Sequence, residues 1–138
     1  VSEAPDRRFG AVILGALGLG VAALAGAGVI FSGSSAVAQS FAEGVRAGQA
    51  ERVDALCAPE LRPRLDRASL AWLREGDGAV EVERGVAGFW HEGFVPYACH
   101  ELRGKGHTAW VILLKREGAW RVSEVAVDQQ PHACEPEP

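Results

Sequence analysis

No two of the three cysteines form a C-x-x-C pair, and the chain contains no G-x-S-x-G, no H-E-x-x-H and no P-loop. Its nearest approach to a dinucleotide fingerprint, GALGLG at 15–20, lies inside an apolar run instead of between a strand and a helix. The hydrolase, zinc-protease and nucleotide-binding chemistries that those motifs carry are therefore not expected. A concentrated basic patch is also missing. Fourteen Lys and Arg are outnumbered by 18 Asp and Glu, for a formal charge of -4, and the arginines alternate with acids in GVRAGQAERVDALCAPELRPRLDR. Nucleic-acid binding draws on counterion release from a gathered basic surface, so no nucleic-acid partner is expected.

Charge itself is missing from one stretch. Residues 9–31, FGAVILGALGLGVAALAGAGVIF, carry no charged side chain, and a helix of that length spans about 34 Å against a hydrocarbon core of about 30 Å. The run predicts a single transmembrane helix over 9–31, preceded by a stub at 1–8. Arg7 and Arg8 abut its start while the next basic residue is Arg46, so the positive-inside rule places the stub in the cytoplasm and the remainder outside. The competing reading is a cleaved export signal, because Ala36-Val37-Ala38 before Gln39 has the small-x-small form of a cleavage site. Length favours the anchor, since the apolar part of a signal is usually only about 7 to 15 residues. Twelve of the 23 residues are Gly or Ala, and Gly18, Ala22 and Gly26 fall on one helical stripe where another helix can approach closely. The alternative reading of the same composition is a GC-rich genome, which writes transmembrane helices in Ala, Gly, Val and Leu.

The remaining roughly 105 residues suffice for one domain. Val37, Phe41 and Val45 stand four apart and Ala50, Val53 and Leu56 three apart, with Gly48 between them, which predicts a broken helix or helix pair with a left-handed cap at the glycine. Pro59 suits the first turn of a short helix, and ASLAWLRE predicts another that buries Leu70 and Leu73 and ends at Gly76 and Gly78. From residue 79 the period becomes two. AVEVERGV, FVPYACHEL, TAWVILL and AWRVSEVAV read as strands joined by turns at RGKGH and KREG. Val125 and Val127 are out of step with Trp120 and Val122, predicting a bulge near Ser123 and Glu124. The expected fold is α+β, with N-terminal helices packed on a curved antiparallel sheet of about four strands over 32–128 and a flexible tail at 129–138.

The segments AQSFAEGVRAGQAERVDALCAPEL and GHTAWVILLKREGAWRVSEVAV resemble the opening helix and closing hairpin of the nuclear-transport-factor-2-like, cystatin-like cone superfamily, in particular its membrane-anchored bacterial members. The resemblance covers about residues 35–128. It implies a sheet curved around a helix with a cone-shaped cavity, a fold shared by isomerase-like enzymes, ligand carriers and interaction domains, with dimerisation through the sheet common.

If RGKGH pairs Leu102 with Thr108, then Tyr97, Cys99, Val111, Leu113, Trp120 and Val122 share the face toward the helices, and Cys57 can meet Cys99 there. A bridge using Cys134, or none, are the alternatives. A metal at Cys99, His100, His132 and Cys134 is not expected, since neighbouring strand residues point to opposite faces. An inward acid or base would come from Glu101 or His91, although the first lies near a hairpin end and the second in a Gly-flanked loop; both read as surface residues. Phe89, Trp90 and Phe94, in the Gly-punctuated GFWHEGFVPY, are the candidate partner contact. The expectation is a non-enzymatic, single-pass bacterial inner-membrane protein without cofactor, whose periplasmic domain mediates assembly with a membrane-protein partner. The alternatives are a module binding lipid or another apolar ligand in its cavity, and a cavity enzyme.

Overall fold

The computed structural model describes residues 31–75, 80–90, 93–104 and 106–136. The chain divides into two units, 1–32 and 33–138, and the description below concerns the second. The expected stub at 1–8, the apolar segment 9–31 except Phe31, and the stripe Gly18, Ala22 and Gly26 lie outside the described residues, as do Gly76, Gly78 and His91. Among the described residues no helix is long and apolar enough to cross a membrane.

The second unit is α+β. Helix α1 (Ser34–Arg46) and helix α2 (Ala50–Leu56) precede a 3-10 helix, Ala68–Arg74; strands β1 (Glu81–Trp90), β2 (Val95–Gly104), β3 (His107–Arg116) and β4 (Ala119–Val127) follow, then a 3-10 turn, His132–Cys134. The four strands form an antiparallel meander in sequence order.

The break between α1 and α2 follows from Gly48, whose φ of 70° is one that residues with a Cβ rarely adopt. Its N–H donates to Val45 O and that of Gln49 to Gly44 O, the pair of bonds that closes a Schellman motif. Helix α1 buries Ala38, Phe41, Ala42 and Val45, whereas in the shorter α2 only Val53 is fully covered. The helix expected to begin at Pro59 is instead a run of turns, with bonds from Leu61 N–H to Ala58 O and from Arg64 N–H to Leu61 O. Pro63 explains this: it cannot donate to residue 59, and its ring obstructs the carbonyl a continuing helix would place there. Leu70 and Leu73 are buried as expected, on a 3-10 helix that also buries Trp72.

One face of the sheet lies under the helices. It carries Ala98, His100 and Leu102 on β2, Ala109, Val111 and Leu113 on β3, and Trp120 and Val122 on β4, all buried. Covering Phe41, Leu70, Leu102 and Leu113 contributes roughly 2 to 3 kcal/mol each relative to exposure. The expected bulge is present: Ile112 pairs with Glu124 but Leu113 with Val122, leaving Ser123 as the extra residue.

The β2–β3 register differs from expectation by one residue. Gly104 pairs with His107 around a turn at 105–106, which sets Leu102 against Ala109 and Cys99 against Ile112. A slip of one position exchanges the faces of a strand. Tyr97 and Cys99 therefore lie on the outer face, not toward the helices, and the expected Cys57–Cys99 bridge does not form. Cys99 is bonded to Cys134, with Cα atoms 5.6 Å apart, and Cys57 is a buried free thiol beside Val122. The tail expected at 129–138 is described as far as residue 136. Residues 129–136 form a strap on the outer face, where Cys99, Ile112 and Cys134 make a small second core flanked by Tyr97, Trp110 and Ala133.

Candidate functional site

The end of the sheet at the β1–β2 turn carries the candidate contact residues. Trp90 pairs with Val95, so residues 91–94 form the loop, within which Gly93 and Phe94 have φ of 84° and 52°. Both lie in the left-handed region, and Phe94, next to the first residue of β2, is left 82% exposed. Phe89 and Trp90 flank it at 47% and 42%, making these three the large hydrophobic residues exposed among the described residues.

The tip is braced from below. Gly88 lies directly opposite Tyr97, and a Cβ at 88 would come within 3.1 Å of the tyrosine ring. The absent side chain thus gives Tyr97 its seat. The ring meets Trp90 edge-on, centroids 5.9 Å apart, and also packs on the Cys99–Ile112–Cys134 cluster. A continuous line of contacts runs from the aromatic tip to the disulfide.

The polar candidates do not converge. Glu101 lies on the outer face beside Trp110, its carboxylate accepting from Arg103 Nε at 3.0 Å, which leaves it in an ion pair and not in a pocket. Cys99 and Cys134 share a disulfide and have no thiolate to offer a metal. His100 faces the other way, buried under the helices, with Nε2 2.9 Å from Ser34 Oγ. No group of three or more His, Cys, Asp or Glu able to hold a metal occurs among the described residues.

Three arrangements have little or no local signal in the sequence. The buried Ser34–His100 pair joins residues 66 positions apart, and no local pattern marks such a pair. His107 Nδ1 lies 2.8 Å from Asp128 Oδ2, and this bond, with a second from Thr108 N–H, holds the Asp128 carboxyl below its ordinary range. Trp72 stacks on the face of the His107 ring at 5.6 Å, so the imidazole is held between an indole and a carboxylate, and no hydroxyl or thiol is hydrogen-bonded to it among the described residues. The third is an arginine-lined groove at the β3–β4 turn, whose sequence signal is the pair of arginines flanking the turn in KREGAWR.

Set beside known proteins, the chain matches no family model, no curated protein and no solved structure.

Proposed function

We propose that this is a non-enzymatic single-pass membrane protein whose extracytoplasmic domain binds a protein partner through the β1–β2 tip, within a membrane complex. The observation that carries the reading is Phe94, an aromatic ring held in solvent on a left-handed backbone with Phe89 and Trp90 beside it. Apolar side chains gathered at an exposed tip cost solubility, and aromatic anchors of this type dominate binding energy once a partner covers them.

The uncharged run 9–31 with Arg7 and Arg8 before it supports an anchor with the domain outside. The disulfide agrees with that side of a bacterial inner membrane, since such bonds persist in oxidising compartments. The proposed relation to the cone superfamily rests on the order of helices and meander. The reading as an apolar-ligand carrier has less support: Phe41, Leu70, Leu102 and Leu113 occupy the space between helices and sheet with no exposed surface.

The test places a photo-crosslinking amino acid at position 94 of the full chain in its native membrane, with position 129, beyond the far end of β4, as control. A single protein adduct in near-stoichiometric yield at 94 and not at 129 is the expected result. Adducts with lipid alone, or equal labelling at both positions, would remove the tip as a protein contact, and a mature N-terminus at Gln39 would remove the anchor.

A further inference from the structure

We infer that the groove at the β3–β4 turn is a binding site for carboxylate-bearing peptide segments. The groove encloses about 530 Å³ between the loop that follows α2 and the β3–β4 hairpin. Pro59, Leu114 and Ala119 give it apolar walls, and Arg62, Arg116 and Arg121 bring three guanidinium groups to it. Glu60 and Glu117 line it as well, so three arginines stand against two glutamates, a net of +1 in a chain of net charge -4.

The commitments of the three arginines differ. Arg116 Nη1 donates to Glu60 Oε1 at 2.6 Å, so those two charges answer each other. Arg62 donates through Nε to the carbonyl of Asp54 at 2.9 Å, which fixes the stem while its terminal amino groups stay available. Arg121 makes no hydrogen bond or ion pair among the described residues. It lies opposite Leu114 on the ladder, one pair inward of Lys115–Trp120 and two from Arg116–Ala119, on a backbone that does not need to move. Against the Arg121 guanidinium and the terminal amino groups of Arg62 stands one further acid, Glu117, on the turn itself.

The balance selects the ligand. A guanidinium binds a carboxylate through two parallel N–H bonds, and the geometry is preset by its planar fork. Closely spaced phosphates would meet Glu60 and Glu117 as well as the arginines, whereas carboxylates spaced along a peptide can reach Arg62 and Arg121 and leave apolar side chains against Pro59 and Leu114. Because the meander places both the β1–β2 and β3–β4 turns at the same end of the sheet, an acidic segment bound here would lie near the aromatic tip without sharing its residues.

The experiment uses the full chain in detergent micelles and a fluorescent acetyl-(Glu-Ala)4 amide, followed by anisotropy at low salt. Saturable binding is expected, weakened at least tenfold by Arg121→Glu and again by Arg62→Glu, weakened by added salt, and kept by Phe94→Ala. That last result separates this site from the proposed aromatic contact. Arg121→Lys, which keeps the charge but not the fork, should fall between wild type and Arg121→Glu. Absence of saturable binding, indifference to Arg121→Glu, or displacement by tripolyphosphate as effective as by unlabelled peptide would overturn the inference.

Discussion

Cys99 is bonded to Cys134 on the outer face of the sheet, and this single covalent link joins the strap at 129–136 to the strands. Apart from a 3.8 Å approach of Ala133 O to the bonded Cys99 Sγ, which has no proton to donate, the strap's hydrogen bonds among the described residues are internal to it: Cys134 N–H to Pro131 O, Glu135 N–H to His132 O, Gln130 Nε2 to Cys134 O, and His132 to Glu135. Without the bond, only the apolar packing of Ala133 and Cys134 would hold it. The Cys99→Ser/Cys134→Ser variant should lose about 3 to 4 kcal/mol of stability in urea, the chain-entropy value for a loop of this length. Hydrogen exchange should rise in 129–136 while α1 keeps its protection. Cys134→Ser alone should leave Cys57 and Cys99 unbridged, because Cys57 is buried beside Val122 and Cys99 faces the opposite side; peptide mapping under non-reducing conditions reads this directly.

Burial, with the Asp54 carboxylate as a lesser cause, pushes the Cys57 thiol up from 9.0 to about 11. A raised folded value means that folding favours the neutral thiol. Its contribution is whole below pH 9 and is lost as pH rises from about 9 to 11, while the unfolded chain ionises first. Cys57→Ala should therefore flatten the fall in stability over that window. In the same protein, iodoacetamide at about pH 8 should label Cys57 only at the rate of unfolding, since the reactive species is the thiolate. Labelling as fast as a free thiol in solution would contradict the buried position.

Gly104 ends β2 against the ring of Trp72. A Cβ at 104 would lie 2.4 Å from Cζ3 and 2.6 Å from Cε3, and Trp72 is itself buried and stacked on His107. Gly104→Ala is expected to cost about 1 to 3 kcal/mol, the range for overpacking. A red shift of tryptophan emission, absent from the same substitution made in Trp72→Phe, would assign the cost to this contact.

How far the fold was legible depends on the range of the signal. Gly48 between two spaced apolar triplets announced the helix break, and the changed phase of Val125 and Val127 announced the bulge at Ser123, because each effect is recorded within a few residues. The β2–β3 register was not recorded in that way. RGKGH accommodates a loop of five residues or of two, and the apolar runs on β2 and β3 allow either pairing: TAWVILL is apolar at both parities, and in β2 both Ala98 and Cys99 are acceptable core residues. The two-residue turn prevails with Gly106 at φ 80°, and the one-position change carries Tyr97 and Cys99 to the outer face. From there the misassigned disulfide follows, as does the strap, whose Pro- and Glu-rich sequence carries no periodicity to mark it as packed. The aromatic tip was legible as a cluster, but its exposure was not, since the same three residues would serve equally in a small core.

Phe94 offers the sharpest test of whether the tip is kept for binding or for folding. A bulky L-residue in the left-handed region is disfavoured by about 1 to 2 kcal/mol, a penalty that Asn reduces through its short polar side chain. At 82% exposure the ring returns little of this by burial. Phe94→Asn should therefore leave the domain as stable as the parent or more so, by up to about 1 kcal/mol, which in a domain of this size raises Tm by several degrees. If the aromatic is retained for binding, the same variant should no longer crosslink to the partner, with the photoreactive group moved to position 89. A higher Tm accompanied by loss of that adduct would mark a residue held in a costly conformation for the sake of its surface. A destabilised Phe94→Asn domain would mean that the ring packs within the fold, and the exposed tip would no longer support an interaction surface.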